Sequence, residues 1–372
     1  MKKVLILTVS NGDNYNMAAR AIANGFATRY SSVSFKILDI FKINKSVEFN
    51  FAGESTLAEK YAHKLENDRY IKAKHAHTIS QKKKIVEKYI SVARPYIERM
   101  VKSYEPDIII STHLFAAILS SEIKEQRNDI KTVYVSADFT APPCLELANN
   151  LDLYIVSSKN MAKEFVKTGI KKDKCHVLGI PLVAKFDKHS SRNEARELLH
   201  LDEDKFTILL TNGTKQRDNN FMLFKVIANK FKDSDIIAVC NKNIKLQSKI
   251  KKYIKSKNLK NVKVYGHTNN IDILIAASDV VLGKTSGVEV SEAMAIHVPY
   301  VATLKMSGQE LDNMKFLKAE HLLINARTLQ SLVSRLQEFK ESKKIQKSYV
   351  DKITKFYHPY TTDELVKLIF HM

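Results

Sequence analysis

The residues from Leu282 to Ala293, Leu-Gly-Lys-Thr-Ser-Gly-Val-Glu-Val-Ser-Glu-Ala, combine small side chains and carboxylates at a spacing that suits a phosphorylated ligand. A hydrophobic strand, Asp279 to Leu282, is followed by a turn and by a helix that carries Glu289 and Glu292. The N–H groups and positive dipole of a helix N-terminus attract a pyrophosphate, and a carboxylate one turn into the helix can accept hydrogen bonds from a ribose diol. The pattern therefore predicts a site for a nucleoside diphosphate.

A second polar loop, Ser307 to Asn313, follows the next predicted strand, Tyr300 to Leu304. It contains the amide of Gln309 and two acidic side chains. Because the carboxyl ends of parallel strands meet at one edge of a sheet, both loops are expected at the same edge. Either loop alone is compatible with an ordinary α/β connection, but the pair favours a ligand site.

These two segments resemble the C-terminal half of the glycosyltransferases that include processive diacylglycerol glucosyltransferases, plant-type monogalactosyldiacylglycerol synthases and the transferase that makes the peptidoglycan lipid precursor. The family segments read roughly Lys-Pro-Gly-Gly-x-Thr-x-x-Glu and Pro-Gly-Gln-Glu-x-x-Asn. The matching residues of this chain are Lys284, Gly287, Glu292, Gly308, Gln309, Glu310 and Asn313. Thr285 and Ser286 replace the family's Pro-Gly, and Glu289 replaces its Thr.

The resemblance covers most of the chain. Gly266-His267-Thr268 corresponds to the family's nucleobase contact, Asn212-Gly213-Thr214-Lys215 to its glycine loop beside the pyrophosphate, and Gly179-Ile180-Pro181 to a Gly-x-Pro at the end of the first domain. It implies that Glu292 binds the ribose and that Gln309 and Glu310 bind sugar hydroxyls. The resemblance and the predicted helix N-terminus together give the expected donor-binding residues: Gly213, Lys215, His267, Thr268, Lys284, Ser286, Gly287, Val288, Glu289, Glu292, Gln309 and Glu310. Lys215 is included as a charge partner that has no match in the family.

The loop Asn11 to Ala19 departs from the family. The family loop commonly reads Gly-Gly-Gly-His-x-x-Ala-Ala, and its His removes the proton of the acceptor hydroxyl, whereas Tyr15 stands at that position here. An unperturbed phenol has a pKa of about 10 and is a poor base near neutrality, while an imidazole has a pKa of about 6.5. Three explanations remain. In the first, neighbouring cations lower the pKa of Tyr15. In the second, the base is another residue: Asp13, His113 or Asp138. In the third, glycosyl transfer has been lost or altered.

The two candidate bases outside this loop each follow a predicted strand. His113 comes after the strand Ile108 to Ser111 and matches a family His, and Asp138 aligns with the family's Thr-Asp. A structural histidine and a turn-capping aspartate are the alternative explanations. Val183 occupies the place of a family Arg, so one expected cation is missing.

Strand-like segments alternate with helical patterns along the chain, and this predicts parallel strands joined by crossovers. The predicted strands are residues 3–8, 34–39, 108–111, 132–136, 153–157, 206–211, 235–240, 262–265, 280–282 and 300–304. One long helical tract is expected from 55 to 104. The fold class is therefore α/β, with two doubly wound, Rossmann-like domains over residues 1–185 and 186–354. The resemblance implies the GT-B fold, in which the domains face a cleft and a C-terminal helix, within residues 355–372, packs back on the first domain.

Composition limits the class of protein. With 372 residues, 44% of them hydrophobic, the chain can form two domains with separate cores. No apolar run approaches the roughly 18 to 20 residues of a membrane helix, and the N-terminal segment is expected to be a strand and not a signal peptide. We expect a cytoplasmic protein, peripheral on the inner face of the cell membrane. The three cysteines, Cys144, Cys175 and Cys240, lack CxxC spacing, so no metal site is expected.

A formal net charge of +20 favours an anionic partner. Residues 59–102 contain twelve Lys or Arg and five Asp or Glu, interleaved with apolar residues, and Lys82-Lys83-Lys84 lies among them at helical spacing. This predicts a basic amphipathic helix on an anionic bilayer, with a solvated helix face as the alternative. A solvated face is the preferred explanation for the nine lysines in residues 242–263. No zinc-finger spacing or RNA-recognition signature occurs, and no nucleic-acid partner is expected.

The resemblance implies an inverting transfer of a hexose from a UDP-sugar to a lipid hydroxyl, that of diacylglycerol or a glycosyl-diacylglycerol. The UDP-sugar is a substrate, and no cofactor or obligatory metal is expected. The alternative is a divergent nucleotide-sugar-binding protein, or a glycosyltransferase with a non-lipid acceptor, that retained the donor half.

Overall fold

The computed structural model describes residues 1–9, 13–42, 70–211, 218–303, 306–326 and 328–372. These residues divide into two units. The first contains Met1–Ala184, Ser307–Asn313 and Tyr360–Met372, and the second contains Lys185–Met306 and Met314–Pro359. Each unit has a six-stranded sheet whose strand pairs are all parallel, with helices in the crossovers. The predicted α/β class with two doubly wound sheets is confirmed.

The strands of the first unit are β1 (Lys2–Thr8), β2 (Val33–Asp39), β3 (Ile108–Ser111), β4 (Lys131–Val135), β5 (Leu153–Val156) and β6 (Cys175–Val177). They lie in the order β2-β1-β3-β4-β5-β6. Strand β1 is central, and its residues Val4, Leu5, Ile6 and Leu7 are fully buried because helices cover both faces of a parallel sheet. Strand β6 was not predicted from the sequence.

The helices of the first unit are α1 (Asp13–Arg29), α2 (Ile79–Ile90), α3 (Arg94–Tyr104), α4 (Leu114–Gln126) and α5 (Lys159–Lys167), with a short helical segment at residues 70–74. The prediction of one helical tract from 55 to 104 was wrong in its described part. Thr78 begins α2 with a capping box that includes Gln81, and a proline in the first turn of α3 marks a further start. Residues 43–69 of that tract lie outside the described chain.

The strands of the second unit are β7 (Thr207–Thr211), β8 (Asp235–Val239), β9 (Val262–Tyr265), β10 (Val280–Gly283), β11 (Tyr300–Ala302) and β12 (Leu323–Ile324), in the order β12-β11-β10-β7-β8-β9. Its helices are α6 (Arg192–Leu198), α7 (Asp218–Lys230), α8 (Ile244–Lys257), α9 (Ile271–Ala276), α10 (Gly287–Ala295), α11 (Gly308–Ala319), α12 (Leu329–Glu341) and α13 (Lys343–Phe356). The first residues of α11, up to Asn313, group with the first unit. Strand β12 and helices α12 and α13 were not predicted.

A buried ion pair fixes the amino edge of the second sheet. Arg196, which is fully buried, donates to Asp279 Oδ2 at 2.8 Å and to the carbonyl oxygens of Asp202, Lys205 and Ala277. Asp279 also accepts from the backbone N–H of Thr207 at 2.7 Å. These bonds compensate for burying the guanidinium and hold β7 beside β10.

The C-terminal helix α14 (Thr361–Phe370) belongs to the first unit and packs against α1. The hydroxyl of Thr361 donates to the carbonyl oxygen of Leu178, and that of Thr362 to the carbonyl oxygen of Leu182, both at 2.6 Å. A Cβ atom added at Gly25 of α1 would lie 2.8 Å from Thr362 Cγ2. The close approach of α1 and α14 therefore depends on Gly25 having no side chain.

Candidate functional site

Each sheet reverses its strand order at one point, and polar residues follow the strands there. In the first unit the reversal lies at β1 and β3, and in the second it lies at β7 and β10. Open α/β sheets bind ligands outside the carboxyl ends of the strands at such a point. The loops after β1, β3 and β4, and separately those after β7 and β10, are therefore the candidate sites.

In the first unit, Asp138 is the centre of a buried hydrogen-bond network. Its Oδ2 accepts from the hydroxyl of Tyr15 at 3.0 Å, and its Oδ1 accepts from Asn313 Nδ2 at 2.8 Å. The Oδ1 atom of Asn313 accepts in turn from the backbone N–H of Phe139 at 3.0 Å and from the hydroxyl of Thr140 at 3.4 Å. Asp138 is 7% exposed and Asn313 is fully buried, so the network fixes both carboxylate oxygens.

Burial raises the pKa of Asp138 from 3.8 to about 6, while the hydrogen bonds from Asn313 and Tyr15 oppose the rise and Glu310 adds to it. A carboxyl group with this pKa is ionised in most molecules at neutral pH and binds a proton with little further cost. General bases work best when their pKa is near the working pH.

Asn14 and Thr112 hold Tyr15 over the ends of the strands. Asn14 Nδ2 donates to the carbonyl oxygen of Ala137 at 2.8 Å, which ties the first turn of α1 to the segment after β4. The hydroxyl of Thr112 contacts Thr8 Oγ1 at 2.9 Å and the carbonyl oxygen of Tyr15 at 3.1 Å. Tyr15 is thus positioned by the ends of β1, β3 and β4.

His113 serves as the N-cap of α4. Its Nδ1 accepts from the backbone N–H of Phe115 at 3.1 Å, and its ring packs edge-on against Tyr15 at 4.6 Å between centroids. Desolvation lowers the pKa of His113 to about 3. A neutral imidazole that accepts at Nδ1 carries its proton at Nε2, so this ring has no nitrogen ready to take a proton.

The start of α11 contributes further polar residues to the first unit. Gln309 Nε2 donates to the carbonyl oxygen and the hydroxyl of Thr140, at 2.9 and 2.8 Å. Asp312 Oδ2 accepts from the hydroxyl of Tyr70 at 2.7 Å and from Lys74 Nζ at 2.5 Å. The polar loop after β11 is therefore hydrogen-bonded both to the segment after β4 and to residues 70–74.

In the second unit, Gly283 ends β10 where no side chain fits. An added Cβ atom would lie 2.1 Å from Tyr300 Oη and 2.2 Å from Thr211 Oγ1. The hydroxyl of Tyr300 donates to the carbonyl oxygen of Lys284 at 2.6 Å, and Thr285, fully buried, contacts Met306 Sδ at 2.9 Å. These contacts hold the turn that leads into α10, with Ser286 as its N-cap residue.

Glu292 lies in the second turn of α10 and is 4% exposed. Burial raises the pKa of Glu292 from 4.5 to about 8. The negative charges of Glu289 and Asp272 add to the rise, and the positive charge of Lys185 opposes it. A buried carboxyl group in this state can still accept hydrogen bonds from a ligand.

The structure divides the residues predicted as site residues between the units. Tyr15, His113, Asp138, Gln309 and Glu310 belong to the first unit. Those of the second unit that it describes are His267, Thr268, Lys284, Ser286, Gly287, Val288, Glu289 and Glu292.

Three predicted site residues escape description. Gly213 and Lys215 lie outside the described residues, and so does the side chain of Asp13. His267 and Thr268 follow β9, at the same carboxyl edge as the β10 turn.

Sequence reasoning missed the roles of Asn313, Thr140 and Asn14. The sequence shows Asn313 only as a motif match, yet it contacts Asp138, 175 positions away in the chain. Its place beside Gln309 in the motif was the one available signal.

Two family models match this chain. One, described as Monogalactosyldiacylglycerol (MGDG) synthase, matches residues 15–182, and one described as Lipid-A-disaccharide synthetase matches residues 162–358, more than half of the chain. A processive diacylglycerol beta-glucosyltransferase of Staphylococcus saprophyticus is 24% identical over 374 residues, covering 100% of this chain and 93% of the relative. Because the second match covers more than half of the chain, the chain belongs to the family of lipid glycosyltransferases that these two models and this relative represent. The family resemblance predicted from the motifs is confirmed.

Solved structures support the fold of this glycosyltransferase. MurG of Acinetobacter baumannii superimposes with a TM-score of 0.65 at 13% identity, covering 100% of both chains. Alr3699/HepE of Anabaena, solved in complex with UDP, gives a TM-score of 0.57 at 16% identity, again over 100% of both chains. Likenesses at this identity establish the GT-B fold.

Two kinds of feature are absent from the described residues. No helix there is both long and apolar enough to cross a membrane. No group of three or more His, Cys, Asp or Glu side chains that could hold a metal ion was found in the same residues.

Proposed function

We propose that this glycosyltransferase moves a hexose from a UDP-sugar to a lipid hydroxyl, that of diacylglycerol or a glycosyl-diacylglycerol, with inversion at the anomeric carbon. The observation that carries the proposal is Glu292, a buried carboxyl group one turn inside the helix that follows the β10 turn. A ribose diol has two hydroxyl groups that can donate hydrogen bonds to such a carboxyl group. The processive diacylglycerol beta-glucosyltransferase named above supports the lipid acceptor.

The β10 turn would hold the diphosphate. Helix α10 begins at Gly287, and the N–H groups and dipole of a helix N-terminus stabilise negative charge. Lys284 adds a cation, and Gly213 and Lys215, which lie outside the described residues, come after β7 in the sequence. This charge stabilisation serves the leaving group of an inverting displacement.

Calorimetry with a panel of UDP-sugars tests the donor site. The pKa of Glu292, about 8, leaves the group mostly protonated at pH 7, whereas a diol donates to the ionised form. Donor binding is therefore expected to release close to one proton at pH 7, visible as a dependence of the measured heat on the buffer's ionisation enthalpy.

Glu292→Gln should weaken UDP binding by about 10- to 100-fold, since hydrogen bonds to a charged group are worth about 1.5–3 kcal/mol. It should also abolish the proton release. Glu338→Gln, an exposed acid on α12, is the matched control. Unchanged UDP affinity in Glu292→Gln would exclude the ribose assignment.

Product analysis decides between the proposed function and its alternative. Vesicles containing diacylglycerol, incubated with each UDP-sugar that binds, should yield a glycolipid detectable by mass spectrometry. Donor binding without any lipid product would instead support a nucleotide-sugar-binding protein or a non-lipid acceptor.

The basic region would bring the enzyme to the inner face of the cytoplasmic membrane. The apolar side of α2 packs into the core through Val86 and Ile90, so it is not available to a bilayer as the sequence suggested. Exposed apolar side chains nearby are Ile71, Ile79 and Val92. The exposed lysines among them are Lys72, Lys74, Lys83, Lys84 and Lys88.

Vesicle sedimentation tests this surface. Binding to vesicles with anionic lipid should weaken by about 100-fold in Lys83→Gln/Lys84→Gln/Lys88→Gln, since each charge near an anionic surface contributes about 1 kcal/mol. The same number of changes in α8, Lys249→Gln/Lys251→Gln/Lys252→Gln, is the control for net charge. An equal loss in both variants would refute a specific membrane surface on α2.

A further inference from the structure

The replacement of the family's His by Tyr15 leaves the reaction without an obvious base, and the first unit contains a group that can take this role. We propose that Tyr15 passes the proton of the acceptor hydroxyl to Asp138, so that Asp138 is the terminal proton acceptor and Asn313 holds it in place. This inference rests on the proposed function and deepens it.

The geometry favours a proton relay through Tyr15 over direct removal of the acceptor's proton by the Asp138 carboxylate. Asp138 is 7% exposed, and each of its oxygens already accepts one hydrogen bond. Tyr15 is partly exposed and its hydroxyl points its proton at Asp138 Oδ2 across 3.0 Å. An acceptor hydroxyl that approaches this end of the sheet would reach the phenol oxygen before the carboxylate.

The step balances without an added reactant. The acceptor oxygen forms a bond to the anomeric carbon while the bond from that carbon to the β-phosphate oxygen breaks, and its electron pair leaves with UDP. The acceptor proton moves to Tyr15 Oη as the phenol's own proton moves to Asp138 Oδ2. Tyr15 ends neutral, Asp138 ends protonated, and the latter returns its proton to solvent. A free phenolate is never required.

The groups around Asp138 are consistent with this role. Glu310 raises its pKa, and the donors on Tyr15 and Asn313 lower it. Burial raises the pKa of the Tyr134 and Tyr70 phenols, and the negative charge of Asp138 raises both pKa values further, so both phenols remain neutral. His113, which contacts the Tyr15 ring, is neutral as well, because desolvation lowers its pKa. Among Asp138, these two phenols and the imidazole of His113, Asp138 is thus the group that carries charge at neutral pH.

Kinetics of four variants test the relay. In the wild type, kcat should fall below about pH 6, where Asp138 becomes protonated. Tyr15→Phe and Asp138→Asn should each lower kcat by about 10²- to 10⁴-fold, the usual contribution of general base catalysis, with the UDP-sugar affinity unchanged. Tyr15→His should recover at least tenfold over Tyr15→Phe. Tyr15→His/Asp138→Asn should exceed Asp138→Asn, because an imidazole can hold the proton itself.

Tyr253→Phe, which removes a surface phenol bonded to Asn229, is the control and should retain full activity. Wild-type kcat in Tyr15→Phe, or an acid limb near pH 6 that persists in Asp138→Asn, would overturn the relay while leaving the proposed function intact. Failure of the wild type to make any glycolipid would overturn the proposed function.

A titration without substrates separates the relay from the proposed function. Carbon-13 NMR of labelled aspartate carboxyl groups should show Asp138, assigned with Asp138→Asn, titrating near pH 6. Its pKa should rise in Tyr15→Phe and in Asn313→Ala, because each change removes a hydrogen bond to the ionised form. An unchanged pKa in Tyr15→Phe would show that the phenol does not donate to Asp138, and the relay would fall whatever the enzyme's activity.

Discussion

Replacing Glu292 by Gln measures the cost of burying a carboxyl group in the second unit. The side chain is 4% exposed, and its pKa is raised from 4.5 to about 8, by burial first and by Glu289 second. Glutamine has nearly the same shape and does not ionise. The substitution therefore removes the titration while it conserves the packing of α10.

The sign of the effect follows from proton binding. Between pH 4.5 and pH 8 the folded protein binds more protons at this position than the unfolded chain does, so the stability contributed by Glu292 falls as the pH rises. One pKa unit corresponds to about 1.36 kcal/mol, and a difference of about 3.5 units gives a loss of about 5 kcal/mol, complete above about pH 8. Glu292→Gln lacks this loss.

Urea denaturation at a series of pH values from about 4.5 to 8.5 provides the measurement. The free energy of unfolding of Glu292→Gln, minus that of the wild type, should increase by about 5 kcal/mol across this range. Glu338→Gln, with its exposed position, should follow the wild type. Parallel pH profiles for Glu292→Gln and the wild type would refute the burial argument and, with it, the proton release expected on donor binding.

Three further substitutions test the packing around the sites. Gly283→Ala places a methyl group 2.1 Å from Tyr300 Oη; overpacking of this kind costs about 1–3 kcal/mol, and urea denaturation should show it together with weaker UDP binding. Gly25→Ala adds an atom 2.8 Å from Thr362 Cγ2 and should release α14 earlier in limited proteolysis, despite the gain of about 1 kcal/mol in helix propensity; slower proteolysis would contradict the close packing. Arg196→Met removes one of the two arginines that pair with Asp279, the other being Arg192, and should destabilise the protein by about 1–3 kcal/mol, whereas a neutral effect would show that the ion pair does not hold β7 beside β10.

The sequence alone determined the fold class and the donor motif, because both are properties of local order in the chain. Apolar runs alternating with helical patterns require parallel strands, whatever the details of packing. The strand, turn and helix from Asp279 to Ala295 are contiguous, and the carboxylates of Glu289 and Glu292 follow from helix periodicity. Short elements such as β6 and β12 escaped prediction because a strand of two or three residues carries almost no pattern of its own.

Only the tertiary structure decided which acid on the acceptor side is equipped to hold a proton. Tyr15, Asp13, His113 and Asp138 were all candidates in the sequence, since a side chain's pKa depends on burial and on partners that are distant in the chain. The fold gives the His113 nitrogen to a helix cap and brings Asn313 and Tyr15 to the two oxygens of Asp138. Desolvation then raises the pKa of Asp138 to about 6, and no spacing of residues along the chain encodes that value.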